Sequence, residues 1–209
     1  MFKPSKSFWL SWILATIFSF AIGLPLGGIS FTFFDEYHEG HALLGLITII
    51  SAVIGLGQWI VLRTRLVRAW IWIPSTAIGG PLGFTIGYWV SRIVLGLSLS
   101  YKDQWKDAFL LSSIAGLIIG VLQWLAVARN VKGSFQWIFV SALSWGIGIT
   151  VLGSIDDFMI AHKIDFGYFN PAIIVIVLGG LVGTITGAFV ESTLLKTTHK
   201  SIDLPTPAR

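Results

Sequence analysis

The chain of 209 residues is 55% hydrophobic and only 11% charged, with a mean hydropathy of +0.82; soluble domains carry about 25% charged residues, so this composition specifies a membrane protein. The net charge of +4 and pI near 9.5 do not indicate nucleic acid, because the Lys and Arg residues are divided among short loops instead of collecting on one face. With no cysteine, disulfides, thiolate nucleophiles and Cys-ligated zinc or iron–sulfur clusters are excluded.

In chain order, the N-terminus MFKPSKSFWLSW places Lys3 and Lys6 before an apolar stretch, in the manner of a secretory signal. Residues 7–34 carry no charge, far beyond a signal's apolar region of roughly 7–15 residues, and no clear A-x-A site follows. The stretch therefore reads as an uncleaved first span. Apolar runs at 8–33, 42–62, 70–97, 108–128, 135–155 and 170–195 each supply the about 20 residues needed to cross a hydrocarbon core about 30 Å thick. A segment in lipid must satisfy its own backbone hydrogen bonds, and the alternation of a membrane barrel is absent. The expected fold class is thus all-α, a polytopic transmembrane bundle of six spans in one domain, 1–209, ending in a short tail, 196–209. Pro25 predicts a bend in the first span, Pro74 and Pro81 predict bends in the third, and Asn170-Pro171 marks the start of the sixth. The glycine-rich centre of the sixth makes it the weakest expected crossing.

The loops orient these spans. The N-terminus, the 63–69 and 129–134 loops and the tail hold Lys/Arg at 3, 6, 63, 65, 68, 129, 132, 196, 200 and 209, against Glu191 and Asp203. The other side holds Lys/Arg at 92, 102, 106 and 163, against acids at 35, 36, 39, 103, 107, 156, 157 and 165. By the positive-inside rule both termini are expected on the cytoplasmic side, with outer loops near 35–41, 98–107 and 156–168.

An internal repeat runs through the spans. Gly55 to Trp72, GLGQWIVLRTRLVRAWIW, returns at Gly120 to Trp137 as GVLQWLAVARNVKGSFQW, with the Gln58–Trp72 and Gln123–Trp137 spacings identical. Trp12, Trp72 and Trp137 are each followed at +4 by a hydroxyl (Thr16, Thr76, Ser141) and at +11 by glycine (Gly23, Gly83, Gly148). Among the even-numbered spans, Gly55, Gly120 and Gly183 correspond, and Thr186 stands at the Gln position. A hairpin used three times, roughly 8–62, 70–128 and 135–195, is the simplest explanation. Two spans per unit keep the copies in one orientation, which implies a pseudo-threefold arrangement about the membrane normal. The repeated glycines leave flat faces on which helices approach closely.

Gln58 and Gln123 lie inside the membrane, where an unsatisfied amide costs several kcal/mol. With Thr186 they are candidates for buried helix–helix bonding or for lining a pore, bonding being the favoured reading. Nine of the ten tryptophans fit interface belts, and Trp145 is assigned to filling a gap beside glycine in preference to facing a pigment or lipid. His38 and His41, among Asp35, Glu36 and Glu39, could hold zinc or copper with His162; a solvated acidic loop is the favoured reading, and neither metal nor cofactor is expected. Arg92 and Glu191 are close enough to the membrane surfaces to reach them. No Ser-His-Asp set, P-loop or Rossmann fingerprint is present, so no catalytic residue is assigned.

The G-x-x-Q-W-x-x-L pattern, Gly55-Leu-Gly-Gln58-Trp59-Ile-Val-Leu62 and more loosely around Gln123-Trp124, resembles that of a group of uncharacterised bacterial multi-spanning proteins, many cyanobacterial. The resemblance covers spans two to five well. It implies a bacterial inner membrane or an internal photosynthetic membrane, and neither an activity nor a site residue. Small-residue faces, dense tryptophan and basic loops lead to an expected role as structural or assembly subunit of a larger membrane complex, with lipids and other membrane proteins as partners. A small-solute or ion conduit is the alternative. An intramembrane enzyme or a lipid- or pigment-binding protein is the third reading.

Overall fold

The computed structural model describes residues 6–33, 39–66, 68–94, 96, 104–128, 133–164 and 170–202. Six α-helices organise them: α1 Lys6–Gly28, α2 Glu39–Leu62, α3 Trp72–Trp89, α4 Gln104–Gln123, α5 Gln136–Ala161 and α6 Asn170–Ile202. Short 3-10 turns follow α1 at Ile29–Thr32 and precede α3 at Ala69–Ile71, while π turns extend α3 through Val90–Val94 and α4 through Trp124–Ala128. The described residues contain no strand. The α1 and α3 helices run unbroken through Pro25 and Pro81.

Among the described residues, five helices are long and apolar enough to cross a membrane, and α3 is not one of them. The expected weak crossing, α6, instead has the highest mean hydropathy of the five, 2.4 over Ala172–Thr193. Its glycines are set among Ile, Val and Leu, whereas α3 combines Pro74, Pro81, Ser75, Thr76 and Thr85 with four glycines. Packing against α2 and α4 on its two sides holds α3 in place.

The helices form a closed ring in chain order, each packed against its two neighbours, with α6 returning to α1. Large apolar side chains point outward, as on α1, where Leu10, Leu14, Phe18, Ile22 and Leu26 form an exposed stripe at four-residue spacing. The inward stripe of the same helix is Trp12, Thr16, Ser19 and Phe20, all buried. This inversion of the soluble pattern is what lipid as solvent requires.

Glycine sets the ring's seams in two repeating registers. A methyl group added to Gly55, Gly120 or Gly183 would meet the backbone of Ile73, Ile138 or Ile13 within 3.1 Å and the β-carbon of Thr76, Ser141 or Thr16 within 3.2 Å. One added to Gly23, Gly83 or Gly148 would meet Ile50, Ala115 or Leu178. Each set occupies matching positions on alternate helices, so the seam contacts repeat three times around the ring. At this separation any side chain would push the helices apart, and glycine is the residue that permits the close approach.

Two features differ from expectation. Helices α4 and α5 continue into the expected 98–107 and 156–168 loops, so Asp107 is a buried residue in the first turn of α4 instead of a loop acid. Trp12, Trp72 and Trp137, expected at a membrane surface, are in the core at 0%, 2% and 4% exposure. The end of the ring that holds them is called the triad end below, and the opposite end the far end.

Candidate functional site: a tryptophan triad locked by two amides and a hydroxyl

The three indoles project from α1, α3 and α5, which alternate around the ring and therefore meet only at its centre. Ring centroids lie 6.2 Å apart for Trp12–Trp72, 6.3 Å for Trp12–Trp137 and 5.4 Å for Trp72–Trp137. The two pairs that include Trp12 are edge-to-face, at 79° and 88°. That geometry places the positive edge of one ring against the negative face of the next.

Each indole N–H is bonded to the neighbouring even-numbered helix. Trp72 Nε1 donates to Gln58 Oε1, Trp137 Nε1 to Gln123 Oε1 and Trp12 Nε1 to Thr186 Oγ1, each at 2.9 Å. Gln123 adds a second bond, its Nε2 donating to Thr76 Oγ1 at 2.8 Å, and so ties α4 to both α3 and α5. Thr76 and Thr16 in turn donate to the carbonyls of Trp72 and Trp12, one helical turn back. All three acceptors are buried, Gln58 at 5%, Gln123 at 2% and Thr186 at 3% exposure.

Apolar layers close the triad from both sides. Towards the triad end lie Phe8, Leu62, Ala69 and Val190. Towards the far end, Phe20, Ile54, Leu178 and Val182 form a second cluster against which Trp145 packs, with the Phe20 and Trp145 rings 6.0 Å apart. Trp145 also lies against Gly116, where an added methyl would come within 2.9 Å of its β-carbon. Trp145 thus packs beside a glycine, but the glycine is Gly116 of α4; the space at Gly146, where the gap was expected, is bordered by Ser113 and Phe109. The polar groups described at the centre are the two amides and the threonine hydroxyls, bonded to the indoles and to one another. The centre forms a plug whose polar edges are bonded internally.

The remaining candidates are scattered. His38 lies outside the described residues, His41 is exposed near the start of α2, and His162 is exposed at the end of α5 with its ring on Phe158. Among the described residues no three His, Cys, Asp or Glu side chains cluster as a metal site. Arg92 is exposed with its guanidinium 5.9 Å from the Tyr88 ring, and Glu191 is half-buried. Trp59 carries the Arg63 guanidinium over its ring, while Trp70 and Trp89 are exposed. Reading the sequence for depth found Gln58, Gln123 and Thr186 but missed their tryptophan partners. The signal was the +4 and +11 register shared by Trp12, Trp72 and Trp137, which an exposed interface anchor has no reason to keep.

No family model, no curated protein and no solved structure matches this chain.

Proposed function

We propose that the protein is a non-conducting structural or assembly subunit of a larger membrane complex. The observation that carries this reading is the filled axis: three indoles in mutual contact, each N–H bonded to a neighbouring helix. A conduit needs polar groups or broken helices facing a path, and here the polar groups at the centre face one another. The same closure leaves the outer surface, with apolar stripes on every side, as the part of the molecule available to lipids and membrane partners. The charge bias of the loops assigns the triad end and both termini to the cytoplasmic side. The membrane is a bacterial inner membrane or an internal photosynthetic one.

Purification in mild detergent at native expression, followed by size analysis, tests the reading. The expected result is a particle well above the 22.9 kDa chain with defined co-purifying membrane proteins, and no solute flux from reconstituted vesicles. A monomer whose vesicles leak solute, with the leak abolished by Gln58→Leu and Gln123→Leu together, would replace it with the conduit.

A further inference from the structure

The α3–α4 seam ends in a polar pair that the triad does not use. Gly79, Gly83 and Gly87 face Ile119, Ala115 and Leu111 in strict antiparallel register. Carried one step further, that register leads from Ser91 to Asp107, and the turn that holds Ser91 is in contact with α4. Ser91 is 6% exposed and Asp107 3% exposed. Ser91 Oγ and both carboxylate oxygens of Asp107 are buried without a hydrogen-bond partner. An unpaired carboxylate away from water is among the costliest arrangements a protein can hold. The seam geometry does not require it: the far end of the α1–α2 seam is closed by Ser30, whose one hydroxyl hydrogen is within reach of both the Gly27 and the Ala42 carbonyl. Ser91 also lies in the π turn Val90–Val94, a distortion frequent at functional sites.

We propose that Asp107 and Ser91 bind one monovalent cation of the sodium class at the far end of the α3–α4 seam. Three unpaired oxygens form a hard donor set, suited to alkali or alkaline-earth ions and not to transition metals. One carboxylate balances one positive charge, and the described residues bring no cluster of acids that a divalent ion would call for. Ser91 belongs to the C-terminal end of α3, where the helix dipole presents its negative pole and favours a cation. The nearest described cationic side chain in the sequence, Arg92, is exposed and turned over Tyr88. Bound there, the ion would neutralise Asp107 and tie α3, the least hydrophobic helix, to α4.

The test follows the thermal unfolding midpoint of the full-length protein in detergent as sodium chloride replaces choline chloride at constant ionic strength. A saturable rise with sodium is expected, lost in Asp107→Asn and shifted to severalfold higher sodium in Ser91→Ala. In choline alone, Asp107→Asn should be more stable than the parent, because it removes a buried charge that has no hydrogen-bond partner and that the α4 dipole offsets only in part. An absent response to sodium, or a sodium response intact in Asp107→Asn, would overturn the proposal. Should Asp107→Asn fail to fold, equilibrium binding of radioactive sodium to the parent protein decides: about one displaceable ion per chain supports the site, and none refutes it.

Discussion

Trp12 and Thr186 stand 174 residues apart and are joined by a 2.9 Å hydrogen bond, the same contact that Trp72 makes with Gln58 and Trp137 with Gln123 across a single hairpin. The pairing of α6 with α1 is thus a third hairpin without its connecting loop, and it closes the ring. The repeating unit of polar bonding is an even-numbered helix with the odd-numbered helix that follows it. The third copy carries a shorter partner, threonine, whose hydroxyl also donates to the Val182 carbonyl.

The two amides are not equivalent, and their removal should show it. Gln123→Leu deletes bonds to Trp137 and Thr76, whereas Gln58→Leu deletes the bond to Trp72. Each leaves a buried indole N–H unpaired, a cost of about 1–3 kcal/mol, and Gln123→Leu loses an inter-helix tie as well. Unfolding in mixed micelles should rank Gln123→Leu below Gln58→Leu in stability; the reverse order would show that Gln58 holds the larger share.

The tryptophans predict a second ranking. Trp12→Phe leaves Thr186 Oγ1 still bonded to Val182 and should cost about 0.5–1.5 kcal/mol for the lost hydrogen bond, apart from a smaller ring. Trp137→Phe strips Gln123 Oε1 of its donor and should cost more, while Trp12→Ala opens a cavity and should cost about 3–5 kcal/mol. The same unfolding assay measures all three. Equal losses for the two Phe variants would contradict the assigned acceptors.

Seam glycines should be intolerant and lipid-side glycines tolerant. A methyl on Gly83 would lie 2.8 Å from the Ala115 backbone, and one on Gly180 would meet nothing within 4 Å. Gly83→Ala should destabilise by about 1–3 kcal/mol through forced separation of α3 and α4. Gly180→Ala should be neutral or stabilising, by up to about 1 kcal/mol from helix propensity.

A size exchange across equivalent seams predicts a specific rescue. Phe20 and Trp145 face Gly179 and Gly116, but at the matching place α3 has Gly80 and α2 has Ser51. An added methyl on Gly80 would collide with the Ser51 side chain, its β-carbon 2.8 Å away. Gly80→Ala should therefore be destabilising alone and partly restored by Ser51→Gly, with a coupling of about 0.5–3 kcal/mol. Strict additivity would place the two residues out of contact.

Much of this was legible in one dimension, because lipid forces helices and the apolar runs mark them. Helix ends were less so: α5 runs on to Ala161, since a helix need not stop where the bilayer does. The misreading of Trp12, Trp72 and Trp137 has a related cause. An indole suits a membrane surface and a bonded core equally well, and hydropathy does not report which way a helix face points. Asp107 was hidden for the same reason, counted as loop charge when the first turn of α4 carries it into the seam.

Closure of the ring by α6 against α1 is the contact on which the filled axis depends, and cysteine cross-linking measures it directly. The chain has no cysteine of its own. A β-carbon at Gly183 would lie 3.2 Å from that of Thr16, a few tenths of an ångström short of the roughly 3.5–4.5 Å of a disulfide, so the seam takes the pair by opening that much. In membranes containing Gly183→Cys with Thr16→Cys and a protease site between α3 and α4, oxidation should keep the two fragments of one chain joined until reductant is added. Fragments that separate without reductant, or that join only between different chains, would contradict the closed ring.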